Sequence, residues 1–528
     1  MTKDGTPKGA ERAVVDGHSL DLDTIARIAA GRDAVTLDEQ ARLRMEESRS
    51  VVDGSLDRNE RVYGISTGFG RLAEVYIGDS RRQELQLNLV RSHSSGVGSP
   101  LAREEVRAMM LLRANALARG NSGCRPVLVE RLLDFIGRDL TPVVPEIGSV
   151  GASGDLAPLA HVALCVIGEG SIDDGRGPRP TPEVLAEHGL APVALLEKEG
   201  LALINGTQAT TGLGVLSAVA SRTLVETIEV AGAMSLEALK GTPAPFLEEV
   251  HDARPHPGQQ ASARRLRALL QGSEIRESHR FNDPRVHDAY SLRCMPQVHG
   301  AAREVLGYAW RILTTESNSS TDNPLVFAPD GDARGRIVSA GNFHAQIVAQ
   351  ALDFLAIALV DLAAISERRV ERMLNPDLSG LPAFLARDPG VESGFMIAQV
   401  AAVDLLGEMR VLAHPASVDS VSTSAAKEDH VSMGMAAARK LRRVVECMEY
   451  VLAIELMVAS QALEFHRPLA PGAGVRLAFD RVRAQVAPLE GDRVLTQDLE
   501  GLRLAIREGA FASLWATLPE PDSTEFLD

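Results

Sequence analysis

The chain has 528 residues, of which 45% are hydrophobic and 24% charged, the balance of an ordinary soluble globular protein rather than a disordered one. Its 71 acidic residues against 55 basic ones give a formal net charge of -16, which argues against a nucleic-acid partner, because phosphates need a basic surface. Aromatic residues make up only 4%, too few for a base-stacking platform.

In chain order, the opening residues MTKDGTPKGAER are polar and lack the apolar core of a signal peptide. Cys124, Cys165, Cys294 and Cys447 lie far apart without a CxxC pair. They signal neither a zinc ribbon nor a disulfide framework, and a reducing, cytoplasmic setting is expected. Glycine and proline punctuate the first part heavily, with short helical patches between. From about Leu213 the character changes. Val215 to Lys240 carries one glycine, while His344 to Asn375 and Met435 to Arg467 carry neither glycine nor proline. Such runs, rich in Ala, Leu, Arg and Glu, predict long helices that bury themselves against one another in a bundle. The most apolar stretch, Ile347 to Ile365, is interrupted by Gln350, Asp353 and Asp361, which predicts a buried helix of a soluble protein and no membrane span. No alternating pattern recurs often enough for a large sheet, and no short-period repeat is visible. The expected fold is mostly α. A loop-rich, helical N-terminal part (1–212) precedes a central long-helix bundle (213–475), then C-terminal helices and a loose acidic tail, LPEPDSTEFLD (476–528).

The most unusual stretch is Pro145-Glu-Ile-Gly-Ser-Val-Gly-Ala-Ser-Gly-Asp-Leu-Ala-Pro. One reading is a flexible loop feeding a helix, with Ser153 or Asp155 as N-cap. The spacing fits neither a nucleophile elbow nor a phosphate loop. The other reading is chemical. Compressing the backbone at Ala152-Ser153-Gly154 brings the Gly154 amide nitrogen toward the Ala152 carbonyl carbon, and glycine permits the dihedrals this requires. Ring closure and dehydration of Ser153 would yield a methylidene-imidazolone, an electrophile that no side chain supplies and that needs no external cofactor.

The segment GSVGASGDLAPLAHVAL resembles the electrophile loop of the aromatic amino acid ammonia-lyase family. The resemblance continues in YGISTGFG (from Tyr63), LQLNLVRSHSSGVG (from Leu85), EGLALINGTQ (from Glu199) and DAYSLRCMPQVHG (from Asp288). It extends through TDNPLVF (from Thr321), SAGNFHAQ (from Ser339) and HPASVDSVSTSAAKEDHVSMG (from His414). The look is nearest to the histidine-specific members. The resemblance implies a long-helix core of the aspartase/fumarase-like type and a homotetramer whose active sites draw on several subunits. It further implies a carbon-nitrogen lyase with a self-formed electrophile, no metal, and a small amino acid as substrate.

Carried over residue by residue, Tyr63 matches the base that takes a proton from the substrate Cβ. Its pKa, ordinarily about 10, must then be lowered by positive charge or hydrogen bonds. Arg293, in YSLRC, matches the clamp on the substrate carboxylate, which suits guanidinium geometry. Asn205 and Tyr290 match residues that position substrate and electrophile, and Phe343 matches a ring packed near the electrophile. His93, in the Ser92-His93 pair, and Glu428, in KEDHVSM, match residues facing an imidazole, whose N–H a carboxylate can accept. Asp429 and His430 lack metal-ligand spacing and read as helix capping. Four positions depart from the histidine-type pattern. His287 and Gln346, both expected to face substrate, stand for glutamine and glutamate, while Lys427 and Met409 replace glutamine and asparagine. These departures leave open a 2,3-aminomutase or a tyrosine or phenylalanine lyase using the same electrophile. A non-catalytic helical scaffold is the third class.

Overall fold

The computed structural model describes residues 12–281, 283–329 and 334–519; the polar opening segment and the acidic tail from residue 520 lie outside them. Helix accounts for 59% and strand for 7%, so the fold is mostly α. The three breaker-poor runs form the helices Gln208–Ala238, Gln346–Leu374 and Gly434–Glu464. A fourth long helix, Met295–Ser317, contains Gly300 and Gly307. Gly300 is there for packing: a Cβ on it would collide with the Gln259 backbone, so helices Met295–Ser317 and Pro257–Leu270 cross almost backbone to backbone. The strands pair only in small two- and three-stranded sheets, such as Val97–Pro100 antiparallel to Pro145–Ile147.

The chain divides into two compact, discontinuous units. The first comprises Met1–Val219, Ala309–Asp353 and Pro415–Arg439. Its centre is helix Arg103–Ala118, buried on every side from Glu105 onward and packed against helices Leu22–Ala29 and Pro126–Gly137. A helix buried all round must satisfy its own polar side chains. Arg107 does so by donating to Ile28 O, Ala29 O and Ile136 O, and Asn115 by donating to Ser317 O.

The second unit comprises Ala220–Tyr308, Phe354–His414 and Lys440–Asp528. Within it, Leu441, Val444, Met448, Val451, Leu452 and Ala459 recur at helical spacing and are buried. Each large side chain of that stripe stabilises the bundle by about 1.5–3 kcal/mol. A polar plug interrupts the stripe at Glu455. Its carboxylate accepts from Arg369 Nε at 2.5 Å, Ser366 Oγ at 2.5 Å and Ser235 Oγ at 2.7 Å, and both ionic partners are fully buried. Helix Gln346–Leu374 is long and apolar enough to cross a bilayer by length and composition, yet 61% of its most apolar window is buried inside the protein. All four cysteines are free thiols, and burial pushes Cys124 and Cys165 up to about 12.

Candidate active site

The Gly-rich loop is a rigid structure. Gly151 and Gly154 have φ of 67° and 74°, the left-handed region that favours glycine. A Cβ on Gly151 would strike Ser432 Oγ, and one on Gly154 would strike the Gly206 backbone. Ser432 Oγ donates to Gly151 O at 3.0 Å, Met433 N–H donates to Val150 O at 2.8 Å, and Asp155 N–H donates to Gly206 O at 2.7 Å. The loop is therefore held from two sides, with Ala152 and Gly154 buried and Ser153 half-buried.

Asp155 differs from the capping role expected of it. It occupies the N-cap position of helix Leu156–Val166 but makes no side-chain hydrogen bond there. Its carboxylate instead accepts from Thr210 N–H at 2.7 Å, Thr210 Oγ1 at 2.8 Å and Ser149 Oγ at 2.8 Å, thereby capping the start of helix Gln208–Ala238. Burial raises the Asp155 pKa, and these hydrogen bonds oppose the rise.

A cavity of about 640 Å³ opens over this loop, lined by Tyr63, His93, Ser153, Asn205 and Glu428 among the residues expected to carry chemistry. One wall is helix Arg82–His93, whose Leu85, Asn88, Leu89, Ser92 and His93 follow a single helical face. His93 Nδ1 lies 2.9 Å from Leu89 O. A carbonyl oxygen only accepts, so Nδ1 carries the proton and Nε2 of the neutral ring is an acceptor. Burial lowers the His93 pKa, which keeps the ring neutral, while Leu89 O and Glu428 act the other way.

Tyr63 sits on a loop anchored by fully buried Ile65, which belongs to an apolar cluster with Val51, Val52 and Val326. The Phe69 ring meets the Tyr63 ring edge-on at 6.2 Å, and Gly70 N–H donates to the phenolic oxygen at 3.3 Å. The phenol is not lowered as expected. Burial raises its pKa, the Gly70 hydrogen bond lowers it, and the Glu428 charge raises it again.

Glu428 closes the cavity from another segment. Its Oε1 accepts from Ser153 Oγ at 2.6 Å and its Oε2 from Thr423 Oγ1 at 2.7 Å. It is presented by a turn in which Ser424, Ala425 and Ala426 all have positive φ, at 52°, 52° and 64°, pinned where Thr423 and Glu428 bridge. Three consecutive non-glycine residues in this region mark stored backbone strain, which concentrates at functional sites. Asp429 and His430 lie in an extended segment ahead of helix Gly434–Glu464 and cap nothing; the His430 ring stacks on His344 at 5.7 Å. No group of three or more His, Cys, Asp or Glu able to hold a metal occurs among the described residues.

Asn205 ends helix Glu199–Ile204 and is 3% exposed, and its Oδ1 has no hydrogen-bond partner among the described residues. Phe343 and Gln346 are half-buried and do not line the cavity; Gln346 Nε2 donates to Ser417 O at 3.2 Å. His287, Tyr290 and Arg293 belong to the second unit. His287 is exposed, Tyr290 is 68% exposed, and the Arg293 guanidinium lies over the Tyr290 ring at 4.8 Å. Arg293 makes no ion pair among the described residues. Of the other departures, Met409 is fully buried in the second unit and Lys427 is exposed in the first. Asn88, Arg71 and Ser424 also line the cavity and were not foreseen.

A buried, glycine-compressed Ala-Ser-Gly loop here faces a tyrosine, an imidazole and a carboxylate, three groups able to take part in proton transfer. The chain is 51% identical over 498 residues to the histidine ammonia-lyase of Myxococcus xanthus, covering 94% of this chain and 97% of that one. Among solved structures it is similar to histidine ammonia-lyase from Trypanosoma cruzi, with a TM-score of 0.89, 43% identity and coverage of 98% and 97%. It is also similar to tyrosine aminomutase from Streptomyces globisporus, with a TM-score of 0.90, 39% identity and coverage of 97% and 99%. Residues 20–484 match the family described as aromatic amino acid lyase, a span that includes every candidate residue above; the chain belongs to that family.

Proposed function

We propose that the protein is a carbon-nitrogen lyase that eliminates ammonia from L-histidine to give trans-urocanate. The observation that carries this reading is 51% identity, over nearly the whole chain, to a protein named histidine ammonia-lyase. The cavity supports it, because His93 Nε2 and the Glu428 carboxylate both offer acceptors to an imidazole N–H. A phenylalanine ring would leave both unmet.

The residues of the loop fit a methylidene-imidazolone. Gly151 and Gly154 have no room for a side chain, and Asn205, which lines the same cavity as Ser153, has no partner for its Oδ1 among the described residues. Formed from Ala152-Ser153-Gly154, this group supplies the electrophile that makes the substrate amine a better leaving group, with no external cofactor. Tyr63 accepts the Cβ proton. Burial disfavours its phenolate, so the Gly70 N–H and the incoming substrate ammonium must stabilise it together. Glu428 and His93 orient the imidazole, and Asn205 orients the substrate against the loop.

In this reading residues 1–212 carry the tyrosine and the electrophile, 213–475 the bundle, and 476–528 the C-terminal helices. The enzyme is cytoplasmic and homotetrameric with active sites shared between subunits, and Arg293 clamps the substrate carboxylate, with Tyr290 and His287 beside the substrate. The exposure of Tyr290 supports a place at a shared site. Phe343 backs the loop and Gln346 faces the substrate, as their shared motif implies.

Product analysis with L-histidine, L-tyrosine and L-phenylalanine tests the reading. Urocanate from histidine, well above coumarate or cinnamate from the others, is expected. A second reading, a 2,3-aminomutase, is favoured by the likeness to tyrosine aminomutase. A β-amino acid product without urocanate would establish it and overturn the first.

A further inference from the structure

Arg113 lies within helix Arg103–Ala118 and is 1% exposed. Burying a guanidinium is expensive unless it is well paired. The Asp322 carboxylate is 3.9 Å away and is engaged by Lys198 Nζ at 2.7 Å. The Arg113 donors go instead to neutral acceptors on one short turn. Nε donates to Ala202 O at 2.7 Å, Nη1 donates to Asn205 O at 2.9 Å and to Gln208 Oε1 at 3.0 Å, and Nη2 also reaches Ala202 O. A planar fork spans three such acceptors from separate nitrogens, whereas a lysine presents all its donors from a single one.

That turn carries Asn205 and Gly206. Gly206 is pressed between the guanidinium and the electrophile loop. A Cβ on Gly206 would collide with Arg113 Nη1 and Gln208 Oε1, and a Cβ on Gly154 would collide with Gly206 itself. Asp155 N–H donates to Gly206 O at 2.7 Å from the loop side. A shift of the guanidinium therefore reaches Gly154 through Gly206, and reaches the Asn205 side chain through that residue's own carbonyl. Asn205 Oδ1 has no partner among the described residues, so the main chain sets its aim.

We propose that Arg113 is a positioning residue for two events. Through the Asn205–Gly206 main chain it holds Ala152-Ser153-Gly154 in the compressed geometry of self-cyclisation, and it aims the Asn205 amide into the cavity. In the cyclisation, Gly154 N bonds to the Ala152 carbonyl carbon. The carbonyl oxygen leaves as water with the protons of Gly154 N and Ser153 N. Ser153 then loses its hydroxyl and Cα hydrogen as a second water. The proposal rests on the lyase reading for turnover, whereas its maturation arm is independent of which amino acid is the substrate.

The test compares Arg113→Lys with Arg107→Lys, a substitution of another buried arginine on the same helix whose contacts are to Ile28, Ala29, Ile136 and the Asp139 carboxylate. Intact mass is read on the folded, purified fraction. Arg113→Lys is expected to retain chains heavier than mature wild type by one or two waters, and Arg107→Lys to be fully mature. Per mature site, Arg113→Lys should lower kcat/KM about 10²-fold, the size of loss a small misplacement causes. Added to Asn205→Ala it should cost less than about threefold more, because both act on one group. Full maturation of Arg113→Lys, or a loss that multiplies with that of Asn205→Ala, overturns the proposal. If Arg113→Lys fails to fold, Gly206→Ala, which wedges a methyl group against the guanidinium, takes its place. Complete two-water loss and wild-type turnover there would equally overturn it. Wild type that matures by mass yet makes no urocanate refutes the substrate reading and leaves the maturation arm standing.

Discussion

Replacing Glu428 by glutamine is the perturbation that separates substrate recognition from folding. The carboxylate accepts one hydrogen bond from Ser153 Oγ at 2.6 Å and one from Thr423 Oγ1 at 2.7 Å. Glutamine keeps the shape and one carbonyl oxygen, and its amide can donate to the Thr423 hydroxyl, which accepts as readily as it donates. The Thr423 contact therefore survives in neutral form, and the Ser153 contact is absent from both proteins once cyclisation has removed the Ser153 hydroxyl. The difference between a charged and a neutral hydrogen bond is about 1 kcal/mol, so the fold should lose no more than about 1–2 kcal/mol. Substrate histidine fares differently. The amide nitrogen presents N–H where the carboxylate offered a lone pair, so an imidazole N–H meets a donor or finds no acceptor. An unmet buried donor costs roughly 1–3 kcal/mol, which is about five- to 150-fold in kcat/KM. The assay is urocanate formation by the purified variant beside its melting curve, with phenylalanine turnover as the internal control. A variant that keeps wild-type kcat/KM for histidine, or loses histidine and phenylalanine turnover equally, refutes the assignment of Glu428 to the imidazole.

Wild-type protein should be two waters lighter than its encoded mass, and Ser153→Ala should abolish both that deficit and activity; active protein at full encoded mass would rule out self-cyclisation. Tyr63→Phe removes only the oxygen that accepts from Gly70 N–H, so its circular dichroism should match wild type while kcat falls by about 10²- to 10⁴-fold. Glu237 is buried and its carboxyl is pushed up to about 8, against an ordinary value of 4.5. Its neutral form therefore contributes stability that is complete below pH 4.5 and is lost as pH rises through about 8. Glu237→Gln should flatten the decline in melting temperature across that window, a gain of on the order of 5 kcal/mol at its alkaline end. An unchanged pH dependence would show that Glu237 is not the group responsible.

The long helices were legible because nothing breaks them; Met295–Ser317 was hidden by Gly300, whose purpose is the Gln259 backbone passing beside it. The unusual backbone of the Gly-rich loop was legible because three glycines fall within seven residues. The strained turn beside it was not, since Ser424, Ala425 and Ala426 are residue types that usually avoid positive φ. Ser92-His93 emerged from its motif, whereas Leu85, Asn88 and Leu89 did not. Their spacing is that of any buried helix stripe, and only the tertiary structure turns it toward a cavity. Asp155 misled for a related reason: a cap can serve a helix distant in sequence, and the Thr210 it caps lies well beyond the local window.

The Ser424–Ala426 turn also bears on how long the enzyme lasts. Holding an L-residue in the left-handed region costs about 1–2 kcal/mol, and three stand in succession here. The helix bundle can remain intact while this segment relaxes, because local opening draws on local free energy rather than on the global total. Warming would then withdraw Glu428 from the cavity before any helix melts. The catalytic half-life would be set by a handful of residues at the cavity's edge, and shelf life and melting point would become separate properties.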